Sequence, residues 1–307
     1  MSSIVLLGAK SFIGEAIING IDYHSSIKAV SHKYLPSNVD KLKNIEWYVS
    51  DLLVPHSLDS ILKEGDLVIN LAYIHNGTFK DNSLLLNNIL NSCHRSGVKK
   101  LIHCSSVGVF GITKDNLINE KTLCMPLSDY ERIKFDLEDI LKKNILKTLD
   151  YGILRPTNVV GPGGEALVKL AWALKNSSWI SNYLRASLYG SRPMHLVPVR
   201  NVAKALVHLV TLNNNLNGNV YIISSDNEEC NTFKQVEECL ALAIGQKKRK
   251  FPLIPFPGAV LSLILKLRRR SHYNMNRKYD SSKIMLTGLT KIDSVEDAIS
   301  AYANSIK

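Results

Sequence analysis

Tyr130 and Lys134 stand four residues apart in the stretch S-D-Y-E-R-I-K, Ser128 to Lys134. On a helix that spacing puts them one turn apart on the same face. A phenol holds its proton to a pKa of roughly 10, and an ammonium beside it favours the phenolate and lowers that value. A tyrosine tuned in this way gives or takes a proton at a carbonyl or an alcohol near neutral pH. The pattern occurs twice, because Tyr279 and Lys283 repeat the spacing. Context separates the two pairs: Ser105-Ser106 follows an apolar run, and Tyr130 comes 24 residues after Ser106 at the start of a helical pattern. Tyr279 lacks that context.

The elements around Tyr130 read as alternating strands and helices. Ile4 to Leu7 is a short apolar run ending at glycine, as a buried parallel strand does. The turn G-A-K-S-F-I-G, Gly8 to Gly14, then opens an apolar periodic helix. Free backbone N–H groups and the helix dipole make such a turn an anion site. Its spacing is G-x-x-G-x-x-G with Ser11 in place of the middle glycine, which normally lets the backbone approach a pyrophosphate. Ile27 to Val30, Ile45 to Val49, Asp66 to Ala72 and Lys100 to Cys104 read as further strands, and 82–96 as a helix. This alternation predicts an α/β, doubly wound parallel sheet of Rossmann type, with ligands at the carboxyl ends of its strands. An acid at the end of the second strand would hold the adenosine ribose of NAD. The chain has Ser31-His32-Lys33 there, with Lys10 in the glycine turn, and these cations suit a 2′-phosphate. NADP is therefore preferred, with NAD as the alternative.

Later segments are less regular. Residues 113–126 are polar and read as an irregular loop, either covering the active site or a plain surface insertion. Patterns at 167–174, 202–212 and 232–244 are helical, and 219–224 is a late strand. His103, His195 and His208 share no spacing and read as structural. The expected organisation is a dinucleotide-binding domain over 1–150. The remaining strands, over 151–307, interleave with a smaller substrate lobe.

At 307 residues, 45% hydrophobic and 21% charged, the chain can bury a sizeable core. It begins M-S-S and runs straight into the first strand, so no signal peptide and a cytoplasmic location are expected. The five cysteines form no C-x-x-C pair and no Cys/His set of metal-ligand spacing, so free thiols and no metal are expected. The net charge is +11, and ten Lys/Arg face one acid between Ala241 and Asp280. That patch implies an anionic partner or a solvated basic face. No nucleic-acid recognition motif accompanies it. Residues 251–267 are apolar but short of the roughly 20 residues that span a bilayer. With Arg268, Arg269 and Arg270 they fit either a peripheral membrane contact over 251–270 or a helix packed in the substrate lobe.

Taken together, these motifs resemble the extended short-chain dehydrogenase/reductases, the NAD-dependent epimerase/dehydratase group that acts mainly on nucleotide sugars. The likeness rests on Gly8 to Gly14, Asp51-Leu52, Leu71-Ala72, C-S-S-V-G-V-F-G from Cys104 to Gly111, and Tyr130/Lys134. It continues through L-R-P-T-N-V-V-G-P-G from Leu154 to Gly163 and V-R-N-V-A from Val199 to Ala203. The resemblance implies Tyr130 as acid/base, Lys134 on tyrosine and nicotinamide ribose, and Ser106 on the substrate oxygen. It implies Gly8, Ser11, Phe12, Ile13 and Gly14 at the pyrophosphate. Asp51, Leu52, Leu71, Ala72 and Asn82 would lie around the remainder of the cofactor. Asn158, Arg192, Arg269 and Arg270 would hold the sugar-nucleotide phosphates, and a homodimer is implied. Dehydratases of this kind carry an acidic pair after the catalytic serine or threonine. Val107 and Gly108 stand there, so dehydration is not expected. Asn201 replaces the usual aspartate of the later motif. The expected activity is 4-keto reduction of a nucleotide-linked sugar with NADPH. The alternatives are 4-epimerisation with tightly held NAD, a sterol or carbonyl reductase, and a non-catalytic dinucleotide sensor.

Overall fold

The structure is a computed structural model. It describes residues 2–20, 26–33, 44–145, 148–246, 252–254 and 276–306. Seven strands build the main sheet: β1 (Ile4–Leu7), β2 (Ile27–Ser31), β3 (Ile45–Val49), β4 (Leu67–Asn70), β5 (Lys100–Cys104), β7 (Asp150–Pro156) and β10 (Asn219–Ile223). Their order is β10-β7-β5-β4-β1-β2-β3. Pairing is parallel from β3 through β7, with Ile4 opposite both Ile27 and Leu67. Strand order reverses between β1 and β4, which opens a crevice at their carboxyl ends.

The chain divides into two compact units, each assembled from three segments. The first contains Met1–Gly111, Pro126–Arg155 and Val202–Tyr221, and the second Ile112–Met125, Pro156–Asn201 and Ile222–Lys307. In the first unit, helices α1 (Phe12–Gly20), α2 (Phe79–Arg95) and α3 (Asp129–Asn144) accompany the sheet. Strands β1, β2, β5 and the interior of β7 are buried, as a sheet with both faces covered requires. Leu85, Leu86, Ile89 and Leu90 of α2 join Leu137 and Leu141 of α3 in one core with Val5, Leu7 and Ile153. Capping boxes start both helices. Thr78 and Asp81 exchange hydrogen bonds before α2, and Ser128 and Glu131 do so before α3.

The second unit holds two parallel ribbons. One pairs β6 (Leu117–Ile118) with β11 (Lys278–Tyr279), and the other pairs β8 (Asn158–Val160) with β9 (Leu196–Pro198). Its helices are α4 (Val168–Asn176), α5 (Trp179–Tyr189), α7 (Phe233–Ala243), a short Ser282–Met285 turn of helix and a terminal Val295–Ser305. Helix α6 (Val199–Thr211) crosses the unit boundary. Leu170, Leu174, Ala186, Val236, Leu240, Ile299 and Tyr302 form the second core. Asn201 is buried, donates to the Asp293 carbonyl at 2.7 Å and accepts from the Ile292 and Asp293 amides at 2.8 and 3.1 Å. An amide does both and an ionised carboxylate cannot donate, which accounts for asparagine where the resemblance expects aspartate.

Residues 113–126 are more ordered than their composition predicts. They contain β6, their base is closed by Ile112 N–H on Met125 O at 3.1 Å, and Glu120 accepts from the Ile222 amide at 2.9 Å. The strand partner lies far along the chain, so no local periodicity announces it. The patch over 255–275, with Arg269 and Arg270, lies outside the described residues.

Candidate active site

The glycine turn begins with Gly8 at φ +82°, a conformation glycine adopts without strain. A Cβ there would sit 3.1 Å from Leu71 C and Ala72 N. At Gly14 a Cβ would meet the Gly8 and Ala9 carbonyl oxygens at 2.6 Å. The ends of β1 and β4 and the start of α1 thus approach as closely as backbone allows. Ser11 caps α1: its Oγ accepts from the Gly14 amide at 3.2 Å, and its own N–H donates to Gly8 O at 2.9 Å. The hydroxyl proton is not used in that bond. In the first turn of α1 the Phe12 and Ile13 amides have no intrahelical acceptor, which leaves them for an anion. This cradle fits a dinucleotide pyrophosphate.

Asp51, two residues past β3, stands 3.7 Å from His32 Nδ1, and both side chains are solvent-accessible. The carboxylate missing from the end of β2 is thus supplied by the neighbouring strand. Leu52 is buried, and its carbonyl accepts from Asn88. Asn82 is also buried. Its Oδ1 accepts from the Ile74 amide at 2.9 Å, and its Nδ2 donates to the Ile74 and Thr78 carbonyls. Its amide pins the loop that follows β4.

Ser106, Tyr130 and Lys134 come together at the carboxyl end of β5. Ser105 and Ser106 leave the strand, and a 3₁₀ turn over Val107–Phe110 packs against α3. The capping box fixes Tyr130 as the second residue of α3. The Ser106 hydroxyl accepts from the Gly108 amide at 3.1 Å and lies close enough to Tyr130 to bear on its phenol. Tyr130 keeps 41% of its surface exposed. Burial pushes the phenol upward, with the Ser106 hydroxyl pulling it back. Lys134 is buried: its Nζ donates to Cys104 O at 3.3 Å and lies 4.2 Å from the centre of the Tyr73 ring. Burial moves the lysine pKa downward.

Tyr73 was not singled out by motif. It follows Leu71-Ala72 and stands edge-to-face with Tyr130 at 5.7 Å between ring centres. It thus touches both members of the pair. Its only sequence signal is its place one residue beyond the L-A at the end of the fourth strand.

Beneath the site lies Glu138, one turn after Lys134 and fully buried. Its carboxylate accepts from Arg155 at 2.9 and 2.6 Å and from the Ser105 hydroxyl at 2.6 Å. Arg155 stacks over Phe110 at 4.8 Å. A side chain at position 108 would meet Glu131 Cγ at 3.2 Å, Ser106 Oγ at 3.3 Å and Tyr130 Cε1 at 3.8 Å. Glycine there supplies no second acid/base beside the tyrosine, and a side chain would press on Glu131 and Ser106.

The second unit holds the other candidates. Asn158 Nδ2 donates to Met194 O at 2.8 Å, two residues from Arg192. Tyr279 ends β11 while Lys283 lies in the following short helix, so this second Tyr/Lys pair does not share a helix face. His195 Nδ1 stands 2.7 Å from the buried Asp226 and its ring meets Tyr279 edge-on, a satisfied structural contact. The five cysteines are free.

The sequence model of the NAD dependent epimerase/dehydratase family matches residues 4–224. Among curated relatives, an N-acetyl-alpha-D-glucosaminyl-diphospho-ditrans,octacis-undecaprenol 4-epimerase of Escherichia coli O157:H7 is 27% identical over 174 residues, covering 52% of this chain and 49% of that one. A decarboxylating sterol-4-alpha-carboxylate 3-dehydrogenase of Saccharomyces cerevisiae is 26% identical, covering 55% and 54%. The chain spans from a quarter to about half the length of the curated relatives it matches. The solved UDP-glucuronic acid 4-epimerase of Bacillus cereus in complex with NAD superposes with a TM-score of 0.75 over 99% of this chain and 96% of that one, at 18% identity. At that identity the likeness establishes the fold.

Proposed function

The chain belongs to the NAD dependent epimerase/dehydratase family, and from that premise we propose that it moves a hydride and a proton at a hydroxyl-bearing carbon of a diphosphate-linked sugar. The observation that carries this reading is the Ser106–Tyr130–Lys134 cluster at the carboxyl end of β5, in the same unit as the glycine turn. Gly8, the Phe12 and Ile13 amides, Leu71 and Ala72 would hold the dinucleotide, with Lys10 and Asp51 toward its adenosine end. Bound nicotinamide supplies or accepts the hydride. In the reductive direction the Ser106 hydroxyl holds the substrate oxygen. Tyr130 Oη then releases its proton to the alkoxide that forms there, and the phenolate left behind is stabilised by the buried Lys134 ammonium. The upward shift of the Tyr130 pKa keeps that proton in place at neutral pH. In the oxidative direction the same atoms run in reverse.

Our first reading is 4-epimerisation with NAD. It is supported by Asp51 beside His32, a carboxylate suited to a ribose diol, and by the glycine at position 108. The second is 4-keto reduction with NADPH, favoured by the cations Lys10, His32 and Lys33. A sterol substrate is a third, and the sterol dehydrogenase relative supports it. Asn158 and Arg192 are proposed to hold the substrate phosphates. Both sugar readings take the enzyme as a cytoplasmic homodimer, with peripheral membrane contact over 251–270 as a further proposal. Among the described residues no helix is long and apolar enough to cross a membrane.

The test incubates the NAD-loaded protein with UDP-N-acetylglucosamine, and separately with N-acetylglucosaminyl-diphospho-undecaprenol. Sugar products are followed by chromatography and cofactor by fluorescence. A C4 epimer reached from either side with no net NADH supports epimerisation. Stoichiometric NADPH consumption on a 4-keto sugar supports the reductase instead. Tyr130→Phe is expected to lower turnover by about 10²–10⁴-fold while leaving dinucleotide binding within about twofold, as read by titration. Retained turnover in that variant contradicts the assignment.

A further inference from the structure

We propose that helices α4 and α5, together with Pro252–Ile254, form a docking surface for an anionic lipid bilayer. Val168 and Trp172 share one face of α4, opposite the buried Leu170, Ala171 and Leu174. On α5, Trp179, Ile180 and Leu184 are exposed in the first two turns, ahead of the buried Ala186 and Ser187. Their exposure is large: 63% for Trp172, 67% for Trp179 and 53% for Ile180. A helix on an ordinary soluble surface turns polar residues to water, and a concentrated apolar patch marks an interaction site. Trp179 packs edge-on against Tyr183. The Tyr183 hydroxyl donates to Pro252 O at 2.8 Å and accepts from the Ile254 amide at 3.3 Å, which ties the exposed Ile254 to the same helix.

Charge decides what covers this face. From Ala166 to Ser225 the chain contains no aspartate or glutamate, while Lys169, Lys175, Arg185, Arg192, Arg200 and Lys204 are all present. The first three lie on α4 and α5. Lys169 and Lys175 flank Trp172 on α4, and two copies would set these like charges together, which argues against self-pairing. Tryptophan prefers the headgroup level of a bilayer, and lysine and arginine beside it add attraction to anionic lipid. The surface stands on observations separate from the catalytic cluster and holds whichever substrate that cluster takes.

The full chain is mixed with extruded vesicles of phosphatidylcholine alone, or of phosphatidylcholine with about one-third phosphatidylglycerol, and binding is read by co-sedimentation and tryptophan emission. We expect at least about tenfold tighter binding to the anionic vesicles, weakening as salt rises. The Trp172→Gln/Trp179→Gln/Ile180→Gln variant should lose that binding while its turnover of a water-soluble substrate stays unchanged. A Lys169→Glu/Lys175→Glu variant, which leaves the apolar residues in place, should lose the preference for phosphatidylglycerol. Absence of binding to both vesicle types, or binding unaltered in both variants, overturns the proposal. So does self-association without vesicles that the tryptophan variant dissolves, since the face would then join copies of this chain.

Discussion

His103 and Tyr73 flank the catalytic pair and bear on it differently. His103 is buried on β5 with Nδ1 3.1 Å from Asn70 Nδ2, and burial, aided by Lys134, pushes its pKa down to about 3. An unfolded histidine titrates near about 6.5. As pH falls below that value the unfolded chain gains a proton that the folded chain refuses. Stability from this group is therefore full above about pH 6.5 and is lost progressively toward pH 3. Between pH 7 and 5 the loss amounts to about 2 kcal/mol. His103→Asn should flatten that slope in urea titrations, and an identical slope in the variant would sink the idea. Tyr73 is a matter of charge: its ring face accepts the Lys134 ammonium, a contact worth about 0.5–2 kcal/mol. Tyr73→Leu should lower kcat about tenfold and alter the kcat–pH profile, with Tyr73→Phe close to the unchanged protein. A Tyr73→Phe loss as deep as the leucine loss would point to the hydroxyl instead.

Helix α3 carries the proposed catalytic residues Tyr130 and Lys134 in one stripe with the buried Glu138, four apart each time. Its register is fixed at one end by the Ser128/Glu131 box and inside the core by Glu138 on Arg155 and Ser105. Arg155→Leu removes the bidentate cation from the buried Glu138 carboxylate, leaving Lys142 Nζ at 3.8 Å, and should cost about 3–5 kcal/mol in denaturant titration. Adding Glu138→Leu should recover much of it. The same helix shows what local sequence conveys. Apolar runs ending at glycine or serine announced β1 and β5, and the tyrosine–lysine spacing announced α3. Helix α2 begins at Phe79 rather than near Asn82, because the Thr78/Asp81 box adds a turn before the apolar period starts. Helix α5 went unread because Trp179, Ile180 and Leu184 are exposed, so its apolar residues do not mark a buried face. The network below the site was equally hidden. Arg155 and Glu138 sit 17 residues apart on a strand and a helix, and no spacing rule links them.

At the scale of the molecule, the sheet that holds the site depends on residues beyond its own first half. Leu216 and Asn217 amides bind the Asp150 carboxylate, and Leu216 packs into the space left by Gly152. Without 202–221, β7 would present a bare edge of buried residues. A fragment ending at Arg155 should therefore aggregate or unfold without a cooperative transition, measurable by circular dichroism during heating. A soluble, cooperatively melting fragment would contradict this. The parallel sheet and its ligand crevice were legible from strand–helix alternation. Interleaving of the later strands with a second lobe was an expectation from sequence; the three-segment make-up of each unit carries no local signal, because it arises from pairings that skip far along the chain. The β6–β11 ribbon joins Leu117 to Lys278, 161 positions later. A ribosome adding about 5–20 residues per second needs roughly 8–30 seconds to cover that distance. Throughout that interval β6 has been made and its partner strand has not, and Ile118, buried in the finished fold, waits unpaired. The newborn chain thus offers chaperones and aggregation a window set by the timing of synthesis rather than by the stability of the finished protein.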